Sequence, residues 1–261
     1  MLTFEKKRFG ISYDYVWFAK RPGARNIARR VVYMQCLESG SAPGYLSQAF
    51  YTKIIDLRED PEALLSATSR STSYQIKRAI REGVTLEPIT ELADFVSFYN
   101  EFARTKRRSN LSAGDLFGWG QDIIAFAAMS NGRALAMHSY VVDAEIGRAR
   151  LLHSASHFRS SDDPSQRNAV GRANRFLHYA AMLHFKDQGL VQYDMGGYAK
   201  GSADPTLQSI AHFKDGFGGE LVREDRYVSL PMHILQLFGR AARRVSKPFQ
   251  LRHLTPARSE S

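Results

Sequence analysis

Hydrophobic and polar residues follow two different spacings along this chain, so strands and helices are expected to alternate. Apolar residues recur at helical intervals through ELADFVSFYNEFARTKR (91–107). Short apolar runs typical of strands occupy TKIIDL (52–57) and LVQYDM (190–195). The segments RALAMHSYVVD (133–143) and GRARLLHSASH (147–157) resemble the two arms of a β-hairpin. The pattern predicts an α/β (α+β) fold with a mixed central sheet flanked by helices, and not a helical bundle.

The remaining pattern divides the chain into three parts. Further helices are predicted at 61–83 with a break at 69–73, from 113 into a strand ending at 129, at 169–189, at 205–218 and at 232–247; further strands are predicted within 8–36, at 84–89 and at 219–230. The polar, Gly/Pro-rich segment 38–44 is the best candidate for a linker. We therefore expect a strand-rich extension over 1–48, a main domain over 49–230, and a basic amphipathic helix and tail over 231–261.

Composition narrows the functional classes. The 261 residues are 44% hydrophobic and 24% charged, which is typical of a soluble globular protein. The single cysteine, Cys36, excludes a disulfide framework, and its apolar surroundings favour a buried residue over a nucleophile. Neither a signal peptide nor an 18-residue apolar stretch is evident, so we expect a cytoplasmic protein. The eight scattered histidines predict no catalytic metal, and the sequence contains no phosphate-binding P-loop.

The formal net charge of +10 is concentrated at the two ends of the chain. Residues 1–33 hold eight Lys or Arg and two acids, residues 240–261 hold six and one, and the middle of the chain is close to neutral. Such ends suit docking to an anionic surface, although solvated termini would have the same composition. The helix at 232–247 could lie on the inner face of a membrane as a peripheral contact, or could cover the core with its first half.

One pair of motifs carries a family resemblance. The segment from Gly189 to Val222 contains LVQYDMGGY and, after a spacer, FKDGFGGELV. Together these motifs resemble the FemABX-type aminoacyltransferases and their BioF2-like acyltransferase relatives, which have GNAT-like folds. The likeness extends over roughly residues 50–230, and residues 1–48 are too short for the complete first lobe of that family. The resemblance implies an acyltransferase with a GNAT-like acyltransferase domain.

The resemblance also implies site residues. It places Lys214 where the family has a lysine near the reacting carbonyl, where an ammonium could stabilise the developing oxyanion. Asp194 ends a predicted buried strand and could accept the proton of the acceptor amine or orient it, or could cap a turn. His212 is an alternative base, as is Glu220. The same motifs supply candidate substrate contacts at Tyr193, Gly196, Gly197, Tyr198 and Phe213. Tyrosines beside a strand are also ordinary packing residues.

Two donors are compatible with the sequence. Acyl-CoA users of the GNAT fold hold the pyrophosphate on backbone N–H groups at a helix start, and Asn168-x-x-Gly171-x-Ala173 has that spacing. We expect acyl-CoA, most simply acetyl-CoA, to bind there; the predicted contacts are Arg167, Asn168, Gly171, Arg172 and Ala173. A helix cap by Ser165 or Asn168 would explain the same pattern.

The alternative donor is aminoacyl-tRNA, which the FemABX resemblance implies. Basic residues Lys77, Arg78 and Arg81 share one predicted helix near Arg70, in a region that contributes to substrate binding in that family. They could equally form a solvated face. The leading hypothesis is an N-acyltransferase that acts on an amine of an envelope or polysaccharide precursor, small or lipid-linked. The alternative from another class is a non-catalytic module that binds a membrane or a protein partner.

Overall fold

The computed structural model describes residues 1–106, 108–112, 114, 116, 120–157 and 163–245, with only the backbone at 121 and 239–245. Within these residues the strands are β1 (Leu2–Arg8), β2 (Ile11–Trp17), β3 (Val31–Cys36), β4 (Tyr45–Gln48), β5 (Tyr51–Asp56), β6 (Thr85–Pro88), β7 (Ile123–Ser130), β8 (Arg133–Asp143), β9 (Arg148–Ser156), β10 (Gln192–Gly197), β11 (Glu220–Arg223) and β12 (Asp225–Ser229). The helices are α1 (Pro61–Ser66), α2 (Arg70–Arg81), α3 (Leu92–Thr105), α4 (Pro164–Asp187), α5 (Pro205–Asp215) and α6 (Leu230–Val245).

The larger sheet has seven strands in the order β11-β5-β10-β9-β8-β7-β6. Its neighbours are antiparallel except for β9 and β10, which are parallel and are joined by α4. A parallel pair requires a long connection, and α4 provides it while packing against β7 and β8. Phe126, Tyr140 and Phe185 are fully buried between this helix and the sheet. The predicted mixed α/β architecture is confirmed.

The smaller sheet has five strands in the order β1-β2-β3-β12-β4, of which four come from residues 1–48. β12 arrives from the far end of the chain and pairs with both β3 and β4. The single strand predicted at 219–230 is therefore wrong: β11 and β12 lie in different sheets, separated by Glu224 alone. The backbone N–H of Glu224 donates to the carbonyl of Phe50 at 2.8 Å, which fixes the chain where it changes sheets.

The candidate linker 38–44 is held against β12. The hydroxyl of Tyr227 donates to the carbonyl of Gly40 at 2.7 Å, and the Gly40 N–H donates to the Asp225 carboxylate at 3.2 Å. The segment thus connects β3 and β4 within the small sheet and does not link one sheet to the other. The boundary at residue 48 remains a prediction, but residues 225–229, which it assigns to the main domain, complete the N-terminal sheet.

Helix boundaries follow local capping signals. The predicted break at 69–73 is confirmed, because α2 begins after Ser69, whose side chain accepts from the Thr72 N–H. α4 begins at Pro164, five residues before the predicted start, because Asp163 caps it and proline suits a first helical turn. The helix predicted from residue 113 lies largely outside the described residues. Across the part of the chain that is described, no helix is long and apolar enough to cross a bilayer.

Candidate functional site

The candidate site lies where the two parallel strands of the large sheet separate. β9 and β10 pair only from Arg148 and Gln192 to Arg150 and Asp194. The register of β10 then shifts at Gly196, which has φ +74°. A Cβ at this position would lie 3.0 Å from the carbonyl oxygen of Leu151, so both the conformation and the close approach require glycine. The carboxyl ends of parallel strands are common ligand sites, and this one is shaped by a Gly-Gly turn.

Lys214 of α5 holds that turn from one side. Its Nζ donates to the carbonyl oxygens of Gly196 and Gly197 at 3.0 and 2.6 Å. The residue is only 8% exposed. The pKa of the Lys214 ammonium is lowered from 10.5 to about 8, chiefly by burial and also by the positive charge of Arg150, while Asp194 opposes the shift. The ammonium of Lys214 is thus a poorly solvated charge that is hydrogen-bonded to the backbone at the end of β10.

Asp194 holds the same turn through a different backbone group. Its carboxylate accepts from the Gly196 N–H at 2.7 Å, from Gln35 Nε2 at 2.7 Å, and from the hydroxyl of Thr52. The residue is fully buried. Lys214 and Asp194 therefore contact the same backbone turn, and the substrate pocket that the sequence expects them to share stays a prediction. The carboxylate faces the small sheet, so its role as a proton acceptor remains a prediction to which this geometry gives no support.

Further buried ionic groups surround Asp194. The Arg148 guanidinium donates to both carboxylate oxygens of Glu224 at 2.8 and 2.9 Å, and Gln35 Nε2 donates to Glu224 at 2.9 Å. The Arg150 Nε donates to the Gln35 side-chain oxygen at 2.6 Å. Burial raises the pKa of Glu224; Arg148 opposes this shift and Asp194 adds to it. Gln35 thus joins two carboxylates and an arginine in one network, which we call the Gln35 network.

Aromatic side chains of the small sheet cover the two arginines. The Arg150 guanidinium lies over the ring of Trp17 at 4.6 Å, and the Arg148 guanidinium lies over the ring of Phe18 at 5.1 Å. Such stacking favours a desolvated cation. Of this network, the sequence singles out Asp194 but none of its buried partners Gln35, Arg148, Arg150 and Glu224. The available signal was the alternation of Arg148 and Arg150 in an otherwise apolar strand, which places both on one face of the sheet.

A second buried polar cluster lies under α4. The Tyr193 hydroxyl is 2.7 Å from His178 Nδ1 and 3.1 Å from the Tyr140 hydroxyl, which is 2.9 Å from His138 Nδ1. His138 Nε2 is 2.8 Å from the side-chain oxygen of Asn174. Burial lowers the pKa of His138 to about 4 and that of His178 well below its ordinary value. Tyr193 is fully buried in this cluster, and its predicted contact with substrate stays a prediction.

An open groove of about 330 Å³ lies beside the turn, on the outer side of α5. We call it the α5 groove; it is lined by Tyr198, Ala199, Lys200, Gly201, Ser202, Gln208, Ala211, His212, Asp215 and Leu221. The Tyr198 hydroxyl donates to Asp215 at 2.9 Å, and Lys53 Nζ lies 2.6 Å from the other oxygen of that carboxylate. His212 is exposed here, whereas Lys214 on the same helix is buried. The three predicted catalytic residues are therefore divided between the turn and the groove.

The remaining predicted contacts lie apart from this groove lining. Phe213 packs against the core, with the Arg175 guanidinium 4.9 Å from the centre of its ring. A Cβ at Gly197 would come within 3.3 Å of the Phe50 ring. Glu220 is exposed at the start of β11. These positions shape the surroundings of the turn, and their predicted contact with substrate stays a prediction.

The residues predicted to hold CoA do not open a helix. α4 begins at Pro164, and the Asp163 carboxylate accepts from the Ser165 N–H at 2.8 Å. Positions 168–173 therefore lie inside the helix, where their N–H groups bond to the preceding turn. Arg172 donates to Glu82 at 2.8 and 2.9 Å, and Ala173 is buried in the core. The structural basis for a pyrophosphate site at Arg167, Asn168, Gly171, Arg172 and Ala173 is thus wrong, although the donor itself is not tested by this observation.

The predicted basic strip is exposed on α2. Lys77 and Arg81 face solvent together with Tyr74, while Arg78 is paired with Glu82 at 2.8 Å. α2 begins at the end of α5, where the Ser69 N–H donates to the Gly216 carbonyl at 2.8 Å. The N-terminal end of the helix that carries the strip therefore lies next to the C-terminal end of α5.

Comparisons with known proteins identify the fold. No protein-family model and no curated protein sequence matches the chain. Among solved structures, FemX superposes with a TM-score of 0.61 at 12% identity, covering 90% of this chain and 85% of FemX. The chain has a FemX-like fold. The predicted resemblance to FemABX-type acyltransferases is confirmed at this level.

Other structures share the FemX-like fold. The C-terminal domain of a lysylphosphatidylglycerol synthetase from Agrobacterium fabrum has a TM-score of 0.50 at 16% identity, covering 84% of this chain and 74% of that domain. A protein of unknown function from Bacteroides thetaiotaomicron also has a TM-score of 0.50, at 10% identity, covering 79% of this chain and 72% of its own. At these identities the likeness establishes the shared fold alone, and activity and substrates are separate questions.

Proposed function

We propose that the protein is an acyltransferase that passes an aminoacyl group from charged tRNA to an amine in the α5 groove. The observation that carries the proposal is the separation of β9 and β10 at the Gly196–Gly197 turn next to this groove. Asp194 holds the turn through a backbone N–H, and Lys214 holds it through two carbonyl oxygens. A rigid, polar turn at the carboxyl edge of a sheet can position a substrate for reaction. The FemX-like fold supports the same reaction class.

The groove carries groups suited to acyl transfer. The acceptor nitrogen attacks the ester carbonyl carbon, a C–N bond forms, and the C–O bond to the terminal ribose breaks. The exposed imidazole of His212 takes the proton of the amine and returns it to the leaving ribose oxygen. Tyr198 and Asp215 form a hydrogen-bonded pair on the same wall, which can orient the incoming amine. Lys214 acts in this scheme as a positioning residue that fixes the turn.

The donor follows from the charged surface beside the groove. Arg70, Tyr74, Lys77 and Arg81 recur at helical intervals on the exposed side of α2, which begins next to Gly216. Cations interleaved with an aromatic ring suit a nucleic acid, because they can bind phosphates and stack a base. Residues 168–173 lie inside α4 and do not form its start. The preference for acyl-CoA as the donor depended on such a start and no longer applies. We therefore propose charged tRNA as the donor, and the experiment below also tests binding of acetyl-CoA.

The acceptor class rests on the FemABX resemblance. We infer an amine on an envelope or polysaccharide precursor, and a lipid-linked one is compatible with the name of the lysylphosphatidylglycerol synthetase that shares the fold. A tRNA donor places the proposed reaction in the cytoplasm. The alternative from another class, a non-catalytic binding module, would keep donor or membrane binding without turnover.

Fluorescence anisotropy with a charged tRNA pool tests the donor. Lys77→Ala with Arg81→Ala should weaken binding roughly tenfold at about 0.1 M salt and lower the log–log salt slope by roughly 2, because two phosphate contacts are lost. Lys7→Ala with Arg25→Ala removes the same charge from exposed positions elsewhere and should leave binding unchanged. Thermal stabilisation by acetyl-CoA, with no binding of tRNA, would instead establish acyl-CoA as the donor.

Turnover is tested with labelled aminoacyl-tRNA and glucosamine as a surrogate amine. His212→Ala should reduce transfer by roughly 100-fold and leave tRNA binding unchanged, since a general base contributes to the chemical step. His233→Ala, a second histidine outside the groove, is the matched control. Equal transfer by wild type and His212→Ala would remove His212 from the mechanism. Binding of tRNA with no transfer to any amine would favour the module.

A further inference from the structure

One apolar side of α6 packs against the small sheet. Met232 is buried and Leu235 partly buried against Val32 and Val228 of the small sheet. This contact fixes the helix on the sheet next to β4. Burial of these side chains accounts for only part of the hydrophobic content of the helix.

A second apolar row on α6 faces solvent. It consists of Leu230, Ile234, Leu237 and Phe238, which are between 47% and 70% exposed. The intervals of four, seven and eight residues place these side chains on one side of the helix, and we call them the α6 row. Leu46 on the neighbouring strand β4 is exposed as well. Single exposed apolar residues are common on protein surfaces, whereas a contiguous row of them is typical of an interaction surface.

The sequence around the α6 row is strongly basic. Six Lys or Arg and no Asp or Glu lie between Arg226 and Ser259, and three of the six are Arg240, Arg243 and Arg244 of the helix itself. An interfacial helix that binds anionic lipid combines an apolar side with nearby cations. A second copy of the chain would bring no acidic residue from this segment as a partner for the arginines, because the segment is basic in both copies. Charge complementarity thus selects an anionic surface.

We propose that the α6 row, together with Leu46, docks on an anionic phospholipid bilayer, with the helix lying in the plane of the interface. Ile234 and Phe238 enter the boundary between headgroups and acyl chains, and the arginines attract the lipid phosphates. The α5 groove and its reaction have no part in this argument. Membrane docking and acyl transfer can therefore fail independently.

Vesicle sedimentation with the full chain tests the proposal. Vesicles of phosphatidylcholine with about 30% phosphatidylglycerol should pellet the protein, whereas pure phosphatidylcholine should pellet much less, and added salt should weaken binding. Ile234→Ser with Phe238→Ser should lower the partition coefficient by at least roughly tenfold, since both apolar anchors are lost. Phe9→Ser with Ile80→Ser is the matched control, because these side chains are similarly exposed, at 55% and 49%, on other surfaces. Circular dichroism of all variants confirms that they fold.

Each outcome decides for or against docking. Selective binding to anionic vesicles that only the α6 pair reduces supports the proposal, as does loss of binding in Arg243→Glu with Arg244→Glu. Equal binding by wild type and the α6 pair would overturn it, and so would absence of binding to anionic vesicles. A dimer in sedimentation velocity that Ile234→Ser with Phe238→Ser converts to a monomer, without vesicle binding, would assign the row to a second copy of the chain instead.

Discussion

Replacing Lys214 by methionine tests the buried ammonium on which the turn depends. Methionine retains an apolar side chain of similar length, but it removes the charge and both hydrogen bonds to the Gly196 and Gly197 carbonyls. The wild-type side chain carries opposing contributions to stability: charge-assisted hydrogen bonds favour the folded state, and desolvation of the ammonium opposes it. The dependence of stability on pH separates the second contribution from the first.

The magnitude follows from the pKa of Lys214. Folding lowers this pKa from 10.5 to about 8, chiefly through burial. Between these two pH values the unfolded chain retains a proton that the folded protein has released. The free energy of unfolding therefore rises with pH across this interval, and the full interval corresponds to about 3 kcal/mol. Below about pH 8 the lysine is charged in both states, and this part of the pH dependence vanishes.

The assay is urea unfolding of wild type and Lys214→Met at about pH 7.5, 9 and 10.5. Other titrating groups cancel when the two proteins are compared, so the wild-type advantage should grow by about 3 kcal/mol over this range. Lys186→Met is the control, because its ammonium also donates to two backbone carbonyls, at 2.9 and 3.3 Å. A difference between wild type and Lys214→Met that stays constant with pH would refute the assignment of Lys214 as a desolvated cation.

Two further predictions concern the buried polar groups. Gln35→Leu should lower the free energy of unfolding by roughly 3–5 kcal/mol, because Asp194, Glu224 and Arg150 each lose a buried partner; chemical denaturation measures this loss, and a cost below about 1 kcal/mol would contradict the network. His138 should remain neutral at about pH 5.5 by histidine proton NMR, and because its pKa is lowered from 6.5 to about 4, its contribution to stability should be lost as the pH falls through that interval. Titration of His138 with a midpoint near 6.5 in the folded protein would contradict this.

The elements that sequence reasoning predicted correctly are those whose signals are local. The break before α2 and the hairpin of β8 and β9 depend on residues close together in the chain. The predicted start of α4 is five residues late because the apolar period begins inside the helix, whereas Asp163 and Pro164 mark its true start. The signal for the correct boundary was present in the sequence, since an acidic cap before a proline is a common start of a helix.

The parts that could not be predicted join distant residues. β3 and β12 are linked by contacts such as Val31 with Ser229, which are 198 positions apart. The residues on both sides of Glu224 are polar, so no local feature of the sequence marks the change of sheet between β11 and β12. Gln35 meets Asp194 across 159 positions, and a glutamine in a strand resembles an ordinary surface residue until its partners are known. Sequence periodicity specifies which side of a strand is buried, but it does not specify which strand comes next to it.

These long-range contacts change the view of residues 1–48. The sequence suggests an incomplete lobe added to a self-sufficient domain. In the structure, the segment supplies Gln35 between two buried carboxylates, and it supplies Trp17 and Phe18 over the guanidinium groups of Arg150 and Arg148. A buried charge without these partners would be strongly unfavourable. The small sheet is therefore a structural support of the turn at the candidate site, and the strands that form the site depend on it for their electrostatic balance.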